Sequence, residues 1–201
     1  ENVAYALEKL EADEGGKSRL EEVTLLNEIT RVALQETTIG DALPLLAVQL
    51  QGALNADSCD LVLWNPHRRQ ITSKTSTRPA HPADQRLIPR SEGVAAVLAA
   101  NRPVPCGEGC LPVSAPEPTG PFIVGIPLVA HGHPLGAAFV TFEDERPCVR
   151  CDLDRARMIT GHIALAIAHT TTFEANSRRI DALLALHETS VDLAGHHDIK
   201  G

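Results

Sequence analysis

The chain has 201 residues, 43% of them hydrophobic, and a formal net charge of −8 at pH 7. This length suits one domain with a sizeable core and flanking segments, and the negative charge argues against a surface that binds nucleic-acid phosphates. With one Trp, one Tyr and four Phe, the chain also lacks the aromatic residues of a base-stacking platform.

Two helices are predicted before the first strand. Residues 18–36 carry an amphipathic stripe close to heptad spacing, formed by Leu20, Val23, Leu26, Ile29 and Ala33. The next helix has the sequence IGDALPLLAVQLQGAL, with Asp41 as its predicted N-cap and Pro44 in its first turn. Its predicted buried face consists of Leu43, Leu46, Leu50 and Leu54.

The apolar period then changes to two, which predicts strands. The first hairpin is formed by CDLVLW and ITSKTST, and the second by PFIVGIPLVA and LGAAFVTFED. Between the hairpins lie a short helix, SEGVAAVLAAN, with Ser91 as its predicted N-cap, and a long Pro/Gly-rich loop. After the second hairpin we expect a helix, DLDRARMITGHIALAIAHTTTF, and a further helical segment from Arg178.

One internal similarity bears on the domain boundaries. The stretch RLEEVTLLNEITRVALQETTI, from Arg19, aligns with RIDALLALHETSVDLAGHHDI, from Arg179. Either a second domain of the same type begins near the end of this sequence, or two amphipathic helices resemble each other by chance. We therefore divide the chain into an N-terminal signalling helix or linker (1–17), a domain (18–172) and a C-terminal signalling helix (173–201).

The order of these elements resembles a GAF domain. The residues that carry the resemblance are GVAAVLAANRPVPC, then FIVGIPLVAHGHPLGAAFVTFED, then the helix that ends in HIALAIAH. The resemblance implies an α/β (α+β) fold of the GAF/PAS type, with a central antiparallel sheet and long terminal dimerisation helices. It also implies a cytoplasmic sensory role in a multi-domain signalling protein such as a histidine kinase.

The same resemblance implies a ligand pocket on one face of the sheet. Trp64 and Phe122 are its candidate lining residues, although a lone Trp often packs in a core. The sequence lacks the Cys-His dipeptide with which phytochrome-type GAF domains tether a bilin, so no bilin is expected. The pattern of cyclic-nucleotide GAF domains is also missing. Cys106 or Cys110 could be likened to the loop cysteine of GAF-fold methionine sulfoxide reductases, but the surrounding motif is not recognisable.

Four cysteines form two close pairs, Cys106 with Cys110 and Cys148 with Cys151. If the second hairpin turns at HGH, Phe122 lies opposite Phe142, and the chain segments that carry both pairs join the sheet at the same end. Four thiolates at this spacing predict a metal site, with zinc or an iron–sulfur cluster as the candidates. Reversible disulfides and inert thiols remain alternatives. Cys59 is predicted to be a core residue.

Taken together, the sequence predicts a non-catalytic sensor that binds a small ligand or a cysteine-ligated metal centre. It would act as a homodimer through its terminal helices and respond to a small molecule or to redox state. No nucleic-acid partner is expected, and no run approaches the roughly 20 apolar residues of a membrane span. A cysteine-based redox enzyme on the same fold and a pure dimerisation spacer are the alternative functions.

Overall fold

A computed structural model describes residues 23–78, 89–113, 121–143 and 150–197, with side chains in the last range described for 154–186. The helices are α1 (23–35), α2 (Ile39–Leu54), α3 (Ser91–Ala100) and α4 (Arg150–His197). The strands are β1 (Ser58–Asn65), β2 (Gln70–Ser76), β3 (Val104–Cys106), β4 (Phe122–Ala130) and β5 (His133–Phe142). A 3₁₀ turn, Glu108–Cys110, follows β3.

The described strands form one antiparallel sheet in the order β2-β1-β5-β4-β3. Phe122 pairs with Phe142, as predicted from the position of the hairpin turn. The turn itself places His131 and Gly132 in the left-handed region, with φ of 51° and 77°. A two-residue turn with positive φ at both positions matches the twist of the strands that it connects.

The helix-side core fills the space between the sheet and α1, α2 and α4. Alternate strand residues point into it, including Cys59 and Leu61 of β1 and Val124 and Ile126 of β4. Cys59 is fully buried there, so its prediction as a core residue is confirmed. The helices supply the facing layer, among others Ile29, Leu43, Leu46, Leu50, Ile159, Ile163 and Ile167.

The α3-side core lies on the opposite face of the sheet. Its buried members are Val62, Val94, Val97, Val104, Cys106, Cys110, Ile123, Ala137 and Phe139. Gly125 of β4 admits these side chains, because a Cβ there would lie 2.6 Å from Val97 Cγ2 and 2.8 Å from Cys106 Sγ. One sheet therefore has two separately packed faces.

The predicted N-caps of α2 and α3 are wrong, by three residues and by one residue. The N-cap of α2 is Thr38, whose hydroxyl accepts a hydrogen bond from Asp41 N–H at 3.3 Å, so Asp41 lies within the first turn. Pro44 consequently falls in the second turn rather than the first. The N-cap of α3 is Arg90, and Ser91 is already helical. Asp and Ser are favoured at both the N-cap and the first turn, so sequence alone does not fix which position they occupy.

The helix and the further helical segment predicted after β5 form one helix, α4, of 48 residues. Its first part packs on the helix-side core through Ala156, Ile159 and Ile163. Beyond Glu174 its large apolar side chains are exposed, at 58% for Ile180 and 66% for Leu183. The helix thus continues past the sheet with apolar residues facing outward.

Candidate functional site

The candidate site lies at the end of the sheet where Phe122 and Phe142 meet. On the α3 side of this end, three polar side chains interrupt an otherwise apolar face: Ser58, Asp60 and Thr141, which are 4%, 8% and 3% exposed. Ser58 pairs directly with Thr141, and Asp60 pairs with Phe139. Since alternate strand residues share a face, the three side chains lie together above the sheet.

Arg78 joins these residues from the segment just after β2, which ends at Ser76. Its Nη2 donates hydrogen bonds to Ser58 Oγ at 2.9 Å and Thr141 Oγ1 at 2.8 Å, and its Nε donates to Ser58 Oγ at 3.2 Å. The nearest contact with the Asp60 carboxylate, from Nη2 to Oδ2, is 3.9 Å. We call Ser58, Asp60, Arg78 and Thr141 the polar cluster.

The backbone before Arg78 is fixed to β1. Thr77 N–H donates to the carbonyl of Cys59 at 3.0 Å, and Cys59 N–H donates to Thr77 Oγ1 at 2.9 Å. Arg78 N–H in turn donates to Ser76 Oγ at 3.2 Å. These bonds extend the β1–β2 ladder by one residue and aim the arginine across β1 toward β5.

Cys106 and Cys110 flank a tight turn beside this cluster. Gly107 N–H donates to the carbonyl of Leu111 at 2.9 Å, and Cys106 bridges to Pro112. Gly109 and Cys110 both adopt left-handed backbone, with φ of 66° and 59°. Positive φ is uncommon for a non-glycine residue and has an energetic cost. The turn also packs tightly on α3, because a Cβ at Gly93 would lie 2.6 Å from the Cys110 carbonyl oxygen.

Both turn thiols are held in the protonated form. Burial raises the pKa of the Cys106 thiol to about 11. Burial also raises the pKa of Cys110, the charges of Asp60 and Cys106 add to this increase, and Arg78 opposes it. The strand register places the turn and the polar cluster at the same end of the sheet, because Cys106 pairs with Ile123 and Ile123 pairs with Thr141.

The predicted cysteine site is described only in part. Cys106 and Cys110 share the α3-side core, whereas Cys148 and the side chain of Cys151 lie outside the described residues. Within the described parts of the chain, no group of three or more His, Cys, Asp or Glu side chains is arranged to hold a metal ion. The fully described pair could supply two thiolate ligands at most, and only after each thiol loses its proton.

The two predicted ligand-binding residues lie on opposite faces of the sheet. Trp64 is half-buried against the α3-side core, and Phe122 packs against the helix-side core beside Phe142. The Phe122 and Phe142 ring centroids are 6.3 Å apart. A single pocket on one face of the sheet cannot be lined by both Trp64 and Phe122.

Sequence reasoning missed the polar cluster. Its signal was present in β1, where Ser58 and Asp60 alternate with Cys59 and Leu61 at a period of two. The run was interpreted as an apolar strand, so its polar positions were not assigned to a face. Arg78 and Thr141 could not be linked to it without the pairing of three strands.

Solved structures share this arrangement of sheet and helices. The GAF domain of a phosphoenolpyruvate-protein phosphotransferase from Coxiella burnetii matches with a TM-score of 0.57 at 19% sequence identity, over 76% of this chain and 96% of that chain. The GAF domain of a candidate sensor histidine kinase from Pseudomonas syringae pv. tomato also gives 0.57, at 14% identity over 87% and 98%. The chain has the GAF fold.

A third GAF-like match is an enzyme. Free methionine-R-sulfoxide reductase from Neisseria meningitidis, solved in complex with its substrate, gives a TM-score of 0.53 at 14% identity over 74% of this chain and 89% of that chain. No protein-family model and no curated protein matches the sequence. At these identities the similarity establishes the GAF fold alone, and with it the predicted fold class.

Among the described helices of this GAF-fold chain, none combines the length and the apolar character that crossing a bilayer requires. The long helix α4 falls short because polar and charged residues recur along it, among them Glu174 and Arg178.

Proposed function

We propose that this GAF-fold domain is a non-catalytic, cytoplasmic sensory module of a larger signalling protein. It binds a small ligand at the polar cluster, on the α3 side of the sheet, and transmits the bound state to α4 in a homodimer. The observation that carries the proposal is the two-faced sheet. Thr141 of the candidate site lies on β5, β5 is paired with β4, and α4 packs on the opposite face of these two strands. Other proteins that contain GAF domains include a phosphotransferase and a candidate histidine kinase.

The coupling follows from residues that alternate along β4. Ile123 and Gly125 face the α3-side core, and Val124 and Ile126 face α4. Both cores are closely packed, so a shift of the strand on one face changes the contacts on the other. A ligand moves such an equilibrium only by its difference in affinity for the two states, typically about 1–3 kcal/mol.

The dimer is proposed from the outer part of α4. Phe173, Ile180 and Leu184 are all about half exposed or more, and they follow one helix face at spacings of seven and four residues. Solvent-exposed leucines and isoleucines at this spacing are typical of a helix that packs along a second helix. We propose that the second helix is α4 of another copy, in parallel orientation.

Charge removal at the site tests the relay. Asp60→Asn changes the charge of the polar cluster with little change in size, and Glu92→Gln removes one exposed charge from α3 as a control. We expect Asp60→Asn to change the dimer dissociation constant, or the hydrogen exchange of α4 beyond Glu174, by about fivefold or more. If both variants behave like wild type while remaining folded, the relay is contradicted.

The absence of turnover is tested separately, because one protein with a similar fold is a reductase. A cysteine nucleophile requires a thiolate, and both described turn thiols have raised pKa values. We expect no reduction of free methionine sulfoxide in the presence of a dithiol reductant. Turnover that is lost on substituting Cys106 or Cys110 with serine would assign the chain to the redox enzymes instead.

The four-cysteine metal centre is a second candidate, favoured by one observation. Cys106 pairs with Ile123, and Ile123 pairs with Thr141. Thr141 is followed by Phe142, the last residue of β5, from which the chain continues toward Cys148. Six residues from Phe142 span up to about 20 Å, enough to reach Cys106 two strands away.

Anaerobic purification decides this second candidate. An absorption spectrum and elemental analysis distinguish an iron–sulfur cluster, zinc and neither. Stoichiometric metal that is lost in a Cys106→Ser, Cys110→Ser double variant would support the centre. A metal-free wild-type protein that remains fully folded would refute it.

A further inference from the structure

The guanidinium group of Arg78 is held on one side by neutral hydroxyls and is open on the other. We propose that its Nη1 edge binds the carboxylate of a small monoanionic organic ligand. This inference rests on the proposed sensory function, and it adds the chemical class of the ligand to it. Three features of the polar cluster support it: the way Arg78 is anchored, the direction of its remaining N–H groups, and the position of Asp60.

Anchoring by hydroxyls orients the guanidinium without neutralising it. Ser58 and Thr141 are both more than nine-tenths buried, and they accept the described hydrogen bonds of Nε and Nη2. A hydroxyl acceptor fixes the geometry of the arginine but leaves its charge in place. An oriented and incompletely neutralised guanidinium is a preorganised site for a carboxylate.

The Nη1 group points away from these anchors. It makes no hydrogen bond to any residue that the structure describes. In the part of the chain that the structure describes, every buried side-chain nitrogen or oxygen has a hydrogen-bond partner, so an atom without one is not buried. The Nη1 group is therefore accessible, while the Arg78 side chain as a whole is only 15% exposed. A ligand oxygen can reach this edge from outside the cluster without displacing Ser58 or Thr141.

Asp60 sets the charge that the site accepts. Its carboxylate lies 3.9 Å from Nη2, close enough to offset part of the arginine charge but beyond hydrogen-bond distance. Because Asp60 keeps a negative charge beside the guanidinium, a dianion such as phosphate would be repelled by Asp60 more strongly than a monoanion. The contact therefore favours a single carboxylate over a phosphate.

The probe for this inference is acetate, the simplest methyl carboxylate, with acetamide as its neutral isostere and inorganic phosphate as the competing anion. The titration is followed through the arginine Nε–H signals of the ¹⁵N-labelled 201-residue chain at constant ionic strength. We expect one signal to shift saturably with acetate in the millimolar range, to respond less to phosphate and not to acetamide. That signal should be the one missing from Arg78→Lys.

Two variants keep the outcome interpretable. Arg31, exposed on α1 and paired with Glu28, serves as the reference signal for nonspecific charge screening. Ser58→Ala removes one anchor and keeps the arginine, and we expect acetate binding to weaken about tenfold or more. If Arg78→Lys does not fold, Ser58→Ala carries the test alone. The inference is overturned if no saturable shift occurs, if Arg31 responds equally, or if Ser58→Ala binds acetate as wild type does. None of these results would contradict the proposed relay, because the relay is tested separately by the hydrogen exchange of α4 and the dimer dissociation constant.

Discussion

Glu174 of α4 accepts a hydrogen bond from the backbone N–H of Ile39, the first residue of α2, at 3.3 Å. The first N–H groups of a helix have no partner within the helix, and a carboxylate there also interacts favourably with the helix dipole. Glu174 is mostly buried and also pairs with Arg178 one turn later. It is thus a fixed point between α4 and the domain.

Glu174→Ala should lower the free energy of unfolding by about 1 kcal/mol, because it removes a charge-assisted hydrogen bond between two helices. Urea denaturation measures the change. The matched control is Glu28→Ala, which breaks an exposed pair with Arg31 within α1 and should cost less than about 0.5 kcal/mol. Equal losses in the two variants would contradict the anchoring role of Glu174.

Gly125→Ala should destabilise the domain by about 1–3 kcal/mol through overpacking, since the new methyl group meets Val97, Cys106 and Phe139. The same substitution at Gly52, in α2, meets no atom within 4 Å and should stabilise the helix by up to about 1 kcal/mol. Denaturation of both variants by urea provides the measurement. A neutral Gly125→Ala would mean that the α3-side core has unused space.

Ile180→Glu should weaken self-association by at least tenfold, because it places a charge in the proposed helix seam. Ala182 is also exposed but lies two residues on, about 200° around the helix, so Ala182→Glu should leave association unchanged. Sedimentation equilibrium of wild type and both variants gives the dissociation constants. If the wild-type protein is a monomer at high micromolar concentration, the proposed α4–α4 contact is contradicted.

Stability should fall as the pH rises from about 9 to 11. The pKa of Cys106 is raised from 9.0 to about 11 by burial, so the fold favours the protonated thiol. Its contribution is complete below pH 9, where neither state ionises, and is lost as pH approaches the folded-state value. Cys59 and Cys110 shift in the same direction, also chiefly through burial.

Cys106→Ala isolates one thiol in that experiment. Lys and Tyr groups titrate in the same range, so the useful quantity is the difference in the pH slope of the unfolding free energy between wild type and variant. We expect the slope between pH 9 and 11 to be shallower in Cys106→Ala. Identical slopes would show that Cys106 ionises as easily in the fold as in the unfolded chain.

Local patterns predicted most of the fold. The apolar stripe of α2 and the alternation in β4 and β5 identified their elements, and the HGH turn fixed the Phe122–Phe142 pairing. Helix starts were less well defined, because Thr38 and Asp41 are both good N-terminal residues and only the backbone conformation distinguishes them. Helical structure was predicted on both sides of Thr172, and the structure joins the two stretches in one helix, α4.

The candidate site was less predictable than the fold. The polar cluster draws on β1, the second residue after β2, and β5, so its members are separated by up to 83 residues and meet only through strand order. Attention to cysteine spacing led to Cys106 and Cys110, which do lie beside the cluster, but spacing gave no information on their protonation. Burial, a property of the packed chain, raises the pKa of both thiols.

The length of α4 has a mechanical consequence. Past Glu174 the helix runs for about 35 Å at 1.5 Å per residue, longer than any strand of the sheet. This outer part of α4 acts as a stiff rod that pivots at the contact between Glu174 and Ile39 of α2. A tilt of about 5° at that contact would move the C-terminal end of α4 by about 3 Å, roughly the size of one water molecule.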